Sequence, residues 1–386
     1  MSKVFIEETS LSAIGDAIRA KTGKSDLLSP AQMVTAIGSI SGGGSGGDIE
    51  IEPVVLTGDC TSACYGQLAG LALEHFGDSI STENVSNATT MFRKNPASNI
   101  PFDINFQTSS NGVAMNQMFM DSGFTTLPAL NNCKPASLNK VFGNSLIQSI
   151  PDSYANWDFS RVQTYTYADC GYMFNGCKHL RYIPQAFLKQ LWGISNNASY
   201  IFYNHMFDGC NSLDEIRGLG VQQAKLSSNM FSSAFNYCYR LKSVVFDVNE
   251  DGTPKTAEWK KQSIDLSSNV GYENLTYSFY EPNRNYNIPI DKWIHDEESY
   301  QALKNDPDSF VGSYNKDGEL YSRYNKVSAI ETINSLPDCS AYCGTDVNTI
   351  KFKGISGTNT DGGAINTLTE EEIAVAAAKG WTVTFV

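Results

Sequence analysis

The chain has 386 residues, a formal net charge of −13 and 41% hydrophobic residues, 11% of the total being aromatic. That apolar content is enough for a real core and excludes wholesale disorder. The acidic balance excludes a broad nucleic-acid footprint, which needs a basic face, and disfavours docking on anionic lipid. No run approaches the roughly 20 apolar residues of a membrane span. No secretory signal is visible in Met1-Ser2-Lys3-Val4-Phe5, so the nine cysteines are expected as reduced, buried thiols rather than a disulfide framework. The 32 Asn and 31 Gly fit a chain that turns often.

Residues 1–40 predict a helical hairpin. Leu11, Ile14 and Ile18 share one face of a first helix, which Gly23 ends as a C-terminal cap. The second helix starts on Ser29 as N-cap, with Pro30 in the first helical position and Gln32 completing a capping box. Met33 and Ile37 continue the apolar face and Gly38 ends it. Two such helices bury little alone. A flexible Gly/Ser linker over 41–48 follows. A small apolar hairpin on a tether reads as an attachment module; the alternative is a hairpin folded back on its own body.

The body, 49–386, carries a degenerate repeat. Three copies are plain: Met173-Phe174-Asn175-Gly176-Cys177 running to Leu180 and Ile183, Met206-Phe207-Asp208-Gly209-Cys210 running to Leu213 and Ile216, and Ala234-Phe235-Asn236-Tyr237-Cys238 running to Leu241 and Val244. Looser copies precede them, with Phe92, Phe119 and Phe142 each followed eight residues later by Ile100, Leu127 or Ile150 and then Pro. Successive Phe positions lie 27, 23, 32, 33 and 28 residues apart. Fixed apolar offsets at such a period predict a solenoid with short strands, in which stacking closes the core. Cys177, Cys210 and Cys238 then share one position, where a small apolar side chain fits between Phe and Leu.

Residues 245–325 break the period and predict an irregular, aromatic-rich insertion. Tyr280, Tyr286 and Trp293, interleaved with Asn283 and Asn285, have the composition of a glycan-binding surface. The alternative is that these aromatics staple the segment onto the core. Residues 326–386 predict a C-terminal cap. Thr369 and Glu372 form a capping box, Ile373, Ala374, Ala376 and Ala377 make an apolar helix face, Gly380 ends it, and 381–386 alternate as a strand.

The Phe-x-Gly-Cys-x-x-Leu-x-x-Ile pattern resembles the BspA-like class of leucine-rich repeats, found in bacterial surface proteins and phage proteins. The run Leu11-Ser12-Ala13-Ile14-Gly15-Asp16-Ala17-Ile18 with Ser29-Pro30-Ala31-Gln32-Met33 is similar to a module at the start of virion and tail proteins of phages that infect Firmicutes, and 368–383 is similar to the ends of such proteins. The resemblance implies an α/β leucine-rich-repeat solenoid preceded by the helical hairpin. It implies a phage tail-fibre or receptor-binding protein, assembled in the host cytoplasm and resident in the virion. Residues 1–40 would bind other virion proteins and the repeat body a host cell-surface glycan or protein, in a homo-oligomer for which a trimer is favoured. The alternatives are a purely structural baseplate or head-surface protein and a glycan-degrading tail enzyme.

Sites for chemistry are sparse. Cys60 with Cys64 and Cys339 with Cys343 are C-x3-C pairs 275 residues apart without a neighbouring His, so zinc is not expected. His75, His179, His205 and His295 have no partner at the spacing of a nucleophilic triad, and His179 is expected on the surface. Asp291, Asp296, Glu297 and Glu298 read as a solvated face rather than a glycosidase pair. A non-enzymatic protein without a cofactor or metal is the expectation.

Overall fold

The computed structural model describes residues 54–67, 69–70, 73, 79–108, 111–162, 167–192, 200–202, 204–221, 229–238, 241–267, 324–354 and 365–386. The hairpin residues Leu11, Ile14, Ile18, Met33 and Ile37, the linker 41–48 and most of the aromatic stretch lie outside them. The described part is mixed α/β, with short parallel strands and few helices.

Short segments around the repeat turns form strands, each with an inward apolar or small residue: β1 (Val54–Asp59), β2 (Ile80–Asn87), β3 (Ile104–Asn105), β4 (Val113–Ala114), β5 (Leu130–Asn131) and β6 (Pro135–Ser137). They sort into one sheet of order β1-β2-β4-β6 and a pair β3-β5, all parallel. Each strand of the first sheet leads into a tight turn, and the turns lie on one another in chain order. The peptide between Met91 and Phe92 shows how. Its carbonyl accepts from Cys64 N–H of the preceding turn (2.8 Å), and its N–H donates to Met118 O of the following one (2.9 Å). Phe119, Phe142, Phe174 and Phe207 N–H groups repeat the bond toward Val141, Met173, Met206 and Ala234 O.

This register puts the six repeat Phe into one ladder. From Phe92 to Phe235 successive ring centroids are 5.6, 5.7, 5.4, 5.8 and 5.9 Å apart, with interplanar angles of 15° or less. All six are buried. Offset stacking adds about 0.5–1.5 kcal/mol per pair to the burial itself. Leu180, Leu213 and Leu241, six residues on, are buried too. So are Ile183, Ile216 and Val244, nine residues on.

Two findings go beyond the sequence pattern. The hydrogen bonds of Cys60, Ser62, Cys64 and Gly66 to Asn87, Thr89, Met91 and Arg93 O place 60–66 as a further turn ahead of Phe92, with Cys64 in the Phe position. The C-x3-C spacing is therefore two buried core positions of one turn. The second finding concerns backbone sign. Each turn holds two left-handed residues four apart, from Ser62/Gly66 through Gln117/Asp121 and Tyr172/Gly176 to Ser233/Tyr237. Left-handed backbone is costly for residues with a Cβ. Here it points the N–H along the stack, as Thr90, Lys94, Gln117, Asp121 and Asn144 each donate to the next turn.

The cysteine column is more than a small apolar filler. Cys177, Cys210 and Cys238 donate S–H to the Phe142, Phe174 and Phe207 carbonyls of the preceding turn at 3.0, 3.2 and 3.1 Å. In the earlier turns Asn95, Ser122 and Ser145 occupy this buried position. Asn95 Nδ2 reaches Cys64 O (2.9 Å) and Ser122 Oγ reaches Phe119 O (2.7 Å). The position asks for a small donor, which explains why Asn, Ser and Cys share it. Burial pushes the Cys177 thiol up to about 12, with Ser145 partly opposing, and burial raises Cys210 and Cys238 too. Since the thiolate is the nucleophile, iodoacetamide at pH 8 should leave these three cysteines unmodified in the folded chain and alkylate them after denaturation, as read by peptide mass spectrometry. Rapid native labelling would contradict the burial.

His179, expected on the surface, is instead 4% exposed. Burial, then Lys178 and Arg181, lower its proton affinity. His205 stacks on Tyr172 (centroids 4.7 Å) and pairs its Nδ1 with Asp208 Oδ2 at 2.7 Å, closing its own turn.

Beyond the first turns come β7 (Tyr167–Asp169), α1 (Gln185–Trp192), β8 (Tyr200–Phe202), β9 (Glu215–Leu219) and β10 (Ser243–Phe246), with β7 parallel to β8 and Val244 opposite Ile216 in the parallel pair β9-β10. The free edge of β10 is sealed by α2 (Lys326–Ser335), which starts on a capping box of Asn325 and Ser328. Thr332 Oγ1 donates to Val244 O (2.6 Å) and Ser335 Oγ accepts from Phe246 N–H (3.0 Å). Glu331 accepts from Arg217 Nη1 and Nη2 and from the Ser243 hydroxyl. Burial works against the Glu331 carboxylate, but the bonds from Arg217 and Ser243 outweigh it and hold its pKa below the usual range. A carboxylate with a lowered folded pKa stabilises above its unfolded value, and that contribution is lost as pH falls through the folded one. Glu331→Gln should therefore weaken the chain at neutral pH and flatten the acid limb of its stability profile. An unchanged acid limb would show that the cluster adds no linkage.

The C-terminal part holds α3 (Ser340–Cys343), α4 (Glu370–Ala378) and a parallel sheet of β11 (Ser263–Asp265), β12 (Asn348–Phe352) and β13 (Trp381–Phe385). Thr369 and Glu372 form both arms of the capping box. The expected apolar face of α4 is narrower in fact: Ala376 is buried and Ile373 half-buried, while Ala374 and Ala377 are exposed. β13 is an edge strand, so Phe385 stays 39% exposed. The aromatic core reaches this sheet through Phe231, Trp259 and Trp381, whose rings meet edge to face at 5.7 and 6.4 Å. The first part of the predicted irregular insertion thus contains β11. Tyr324, at its end, is buried against Phe352 (6.0 Å) and bonded to Thr332, a core residue rather than a surface one.

Candidate functional site

The predicted glycan-binding residues Tyr280, Tyr286, Trp293, Asn283 and Asn285 lie outside the described residues, as do Asp291, Asp296, Glu297 and Glu298. Among the described residues, no group of three or more His, Cys, Asp or Glu is arranged to hold a metal ion. Nor is any helix among them long and apolar enough to cross a membrane. None of the nine cysteines is in a disulfide, and all are buried.

The structure offers a different site, beside β5. Asn131 Nδ2 donates to Asn105 Oδ1 (2.9 Å), and Asn105 Nδ2 donates to Thr82 O (3.0 Å), so an amide ladder crosses the sheet face. The sheet β3-β5 stops there. The next segment is a 3-10 helix, Asp152–Asn156, after Pro151. It touches the β5 segment at both ends: Tyr154 Oη donates to Pro128 O (2.8 Å) and Asp158 N–H donates to Cys133 O (2.9 Å). Between these contacts the two segments part and leave a cleft of about 680 Å³.

Its lining is mixed, with Ala129, Leu130 and Cys133 among the polar groups. Gln107, Asn131, Asn132 and Asn156 bring amides, and Thr108 and Ser153 bring hydroxyls. Lys134 and Asp158 face each other at 3.2 Å. The hydroxyl and N–H of Ser160, then burial in the opposite sense, then Lys134 set the Asp158 carboxyl, whose pKa is lowered on balance, so it is ionised at neutral pH. At the floor, Trp157 is 3% exposed, its ring held by Tyr154 at 4.5 Å and by Phe187 edge-on at 5.4 Å. Its indole Nε1–H is buried and has no hydrogen-bond partner among the described residues. The arrangement sets amide, hydroxyl and one ion-paired group beside an apolar floor.

Sequence reasoning missed this cleft. One signal was present: the Phe spacing grows from 23 to 32 residues between the third and fourth repeat Phe. The added chain is the 3-10 helix and Trp157 segment that departs from β5.

Comparison with protein-family models, with curated proteins and with solved structures finds no match to this chain.

Proposed function

We propose that this chain is a phage tail-fibre or receptor-binding protein. Residues 1–40 attach it to other virion proteins, and a BspA-like leucine-rich-repeat solenoid presents a binding surface to the host cell, as a homo-oligomer with a trimer favoured. The observation that carries the binding role is the cleft beside β5, lined by amides and hydroxyls as well as apolar groups and held on a scaffold of stacked turns whose rings are buried. A rigid scaffold with a recessed hydrogen-bonding surface is the arrangement a receptor needs, because little ordering entropy is lost on contact. The Phe ladder and inter-turn hydrogen bonds support the solenoid reading.

The experiment uses the purified full chain, labelled and titrated onto host cells. Saturable adsorption that unlabelled chain competes away is the expected result. Deleting residues 1–40 should abolish incorporation into particles and leave adsorption intact. A chain that enters particles without its first 40 residues, or that does not adsorb, overturns the corresponding half of the proposal. Adsorption failure with normal incorporation would favour the purely structural virion role.

A further inference from the structure

We infer that two copies of this chain pair through the free edge of β13, antiparallel and about a two-fold axis at Thr384. This goes beyond the adhesive reading and does not rest on it. Among the described strands, β13 pairs only with β12. Asn348 N–H donates to Gly380 O (3.1 Å), and Val386 N–H donates to Phe352 O (3.1 Å). The even-numbered residues of β13 thus turn their backbone groups to β12. Val383 and Phe385 turn theirs outward, where no described residue bonds to them. Two other edges are guarded. β10 is sealed by the α2 side chains Thr332 and Ser335. β1 breaks register on both sides of Gly58 and ends on Asp59. β13 keeps an unbroken register against β12 and holds neither charge nor proline. An edge with none of these devices is a template for a further strand.

The strand is complementary to a second copy of itself. Trp381 is 1% exposed, so the edge is open only from Thr382 onward. A two-fold axis at Thr384 sets Val383 of each copy opposite Phe385 of the other, and each such pair exchanges two N–H···O bonds. Every outward backbone group of the open edge is then satisfied. An axis at Val383 would direct bonds to the closed Trp381 instead. Thr384 stands opposite itself. Aromatic–β-branched and Thr–Thr pairs are the favourable ones across an antiparallel ladder. No like charges meet along the paired strands, although the chain carries −13. Phe385 and Val386, 39% and 56% exposed, gain a cover. Val383 and Phe385 lie on the core face, Phe385 beside Phe352 at 6.5 Å, so pairing carries that apolar face from one copy to the next. The contact is isologous. It adds to any three-fold contact among residues 1–40 and doubles the assembly those residues make.

The test is sedimentation velocity of the full chain over a wide concentration range. Its mass should double reversibly as concentration rises. Thr384→Lys sets two ammonium groups opposite each other, and Thr384→Glu sets two carboxylates. Each variant alone should weaken the doubling by about fivefold or more. An equimolar mixture of the two should recover it, since only mixed pairs bring opposite charges together. Val383→Pro removes one outward N–H and leaves the β12 ladder its bonds, a proline that an edge strand tolerates. It should weaken the doubling likewise, and it serves if a charge at Thr384 disturbs the fold, which circular dichroism checks for each variant. A parent chain whose mass does not double, doubling unchanged in every folded variant, or a mixture no better than its components overturns the inference. The last of these would give the edge to a strand other than its own copy. Cell adsorption plays no part in these readouts, so the adhesive role can fail without changing them.

Discussion

Phe142→Ala should lower the unfolding free energy by about 3–5 kcal/mol, the cost of emptying a fully buried Phe site. Phe142 sits mid-ladder, 5.7 Å from Phe119 and 5.4 Å from Phe174, with Tyr154 at 6.5 Å. None of these rings can close the gap: the turns of Phe119 and Phe174 are held by backbone hydrogen bonds to the turns on either side, and Tyr154 is fixed by its hydroxyl on Pro128 O. The cavity therefore stays open and its full penalty is felt. Phe235→Ala, near the end of the ladder, should cost less, since Phe231 packs beside it at 6.2 Å and the chain beyond is not a repeat turn. Urea unfolding followed by circular dichroism gives both values. Equal costs at the two positions would show that the ladder is not the source of rigidity.

Gly176→Ala should be more damaging than Gly209→Ala, the same change at the matching position of the next turn. Gly176 has φ +73°, and a Cβ there would stand 2.0 Å from Asn144 Oδ1. Left-handed strain alone costs about 1–2 kcal/mol, and displacing Asn144 adds to it, since Asn144 Nδ2 is bonded to Asp121 Oδ1 (3.1 Å). Gly209 is the control. Its φ is +78°, yet its Cβ would meet nothing closer than Gly176 Cα at 3.4 Å. Gly209→Ala should therefore show the strain without the clash. Asn144→Gly, which suits the left-handed φ of +55° at that residue, should recover part of the Gly176→Ala loss in the double variant. A double variant that is merely additive would show that the two turns do not touch there.

The candidate site was the least legible part of the sequence. Its amides come from three segments, around Gln107, Asn131 and Asn156, and Asn is common throughout the chain. Nothing local distinguishes these from the others. What makes them a site is that the Asp152–Asn156 segment fails to continue the sheet, which is a property of pairing and not of composition. Cys64 was hidden for a related reason. The apolar offsets of Cys60, Ala63 and Cys64 match those of Ala88, Met91 and Phe92, but a small thiol replaces the ring that marks the other turns.

Length and composition by themselves determined that this acidic chain has a core, and the Phe, Leu and Ile offsets determined which side chains fill it. A packed interior needs apolar groups at fixed intervals, so that requirement is written in residue types. The capping box at Thr369 and Glu372 was equally legible, because a cap is a contact between residues three apart. Tertiary structure alone decided the left-handed pairs in each turn, the sealing of β10 by Thr332 and Ser335, and the S–H donors of the cysteine column. Those depend on hydrogen bonds to backbone groups some 20 to 90 residues away. Every residue carries a carbonyl, and every residue but proline an N–H, so such bonds leave almost no mark on the sequence except where, as at Gly176, the turn beside them has no room for a Cβ.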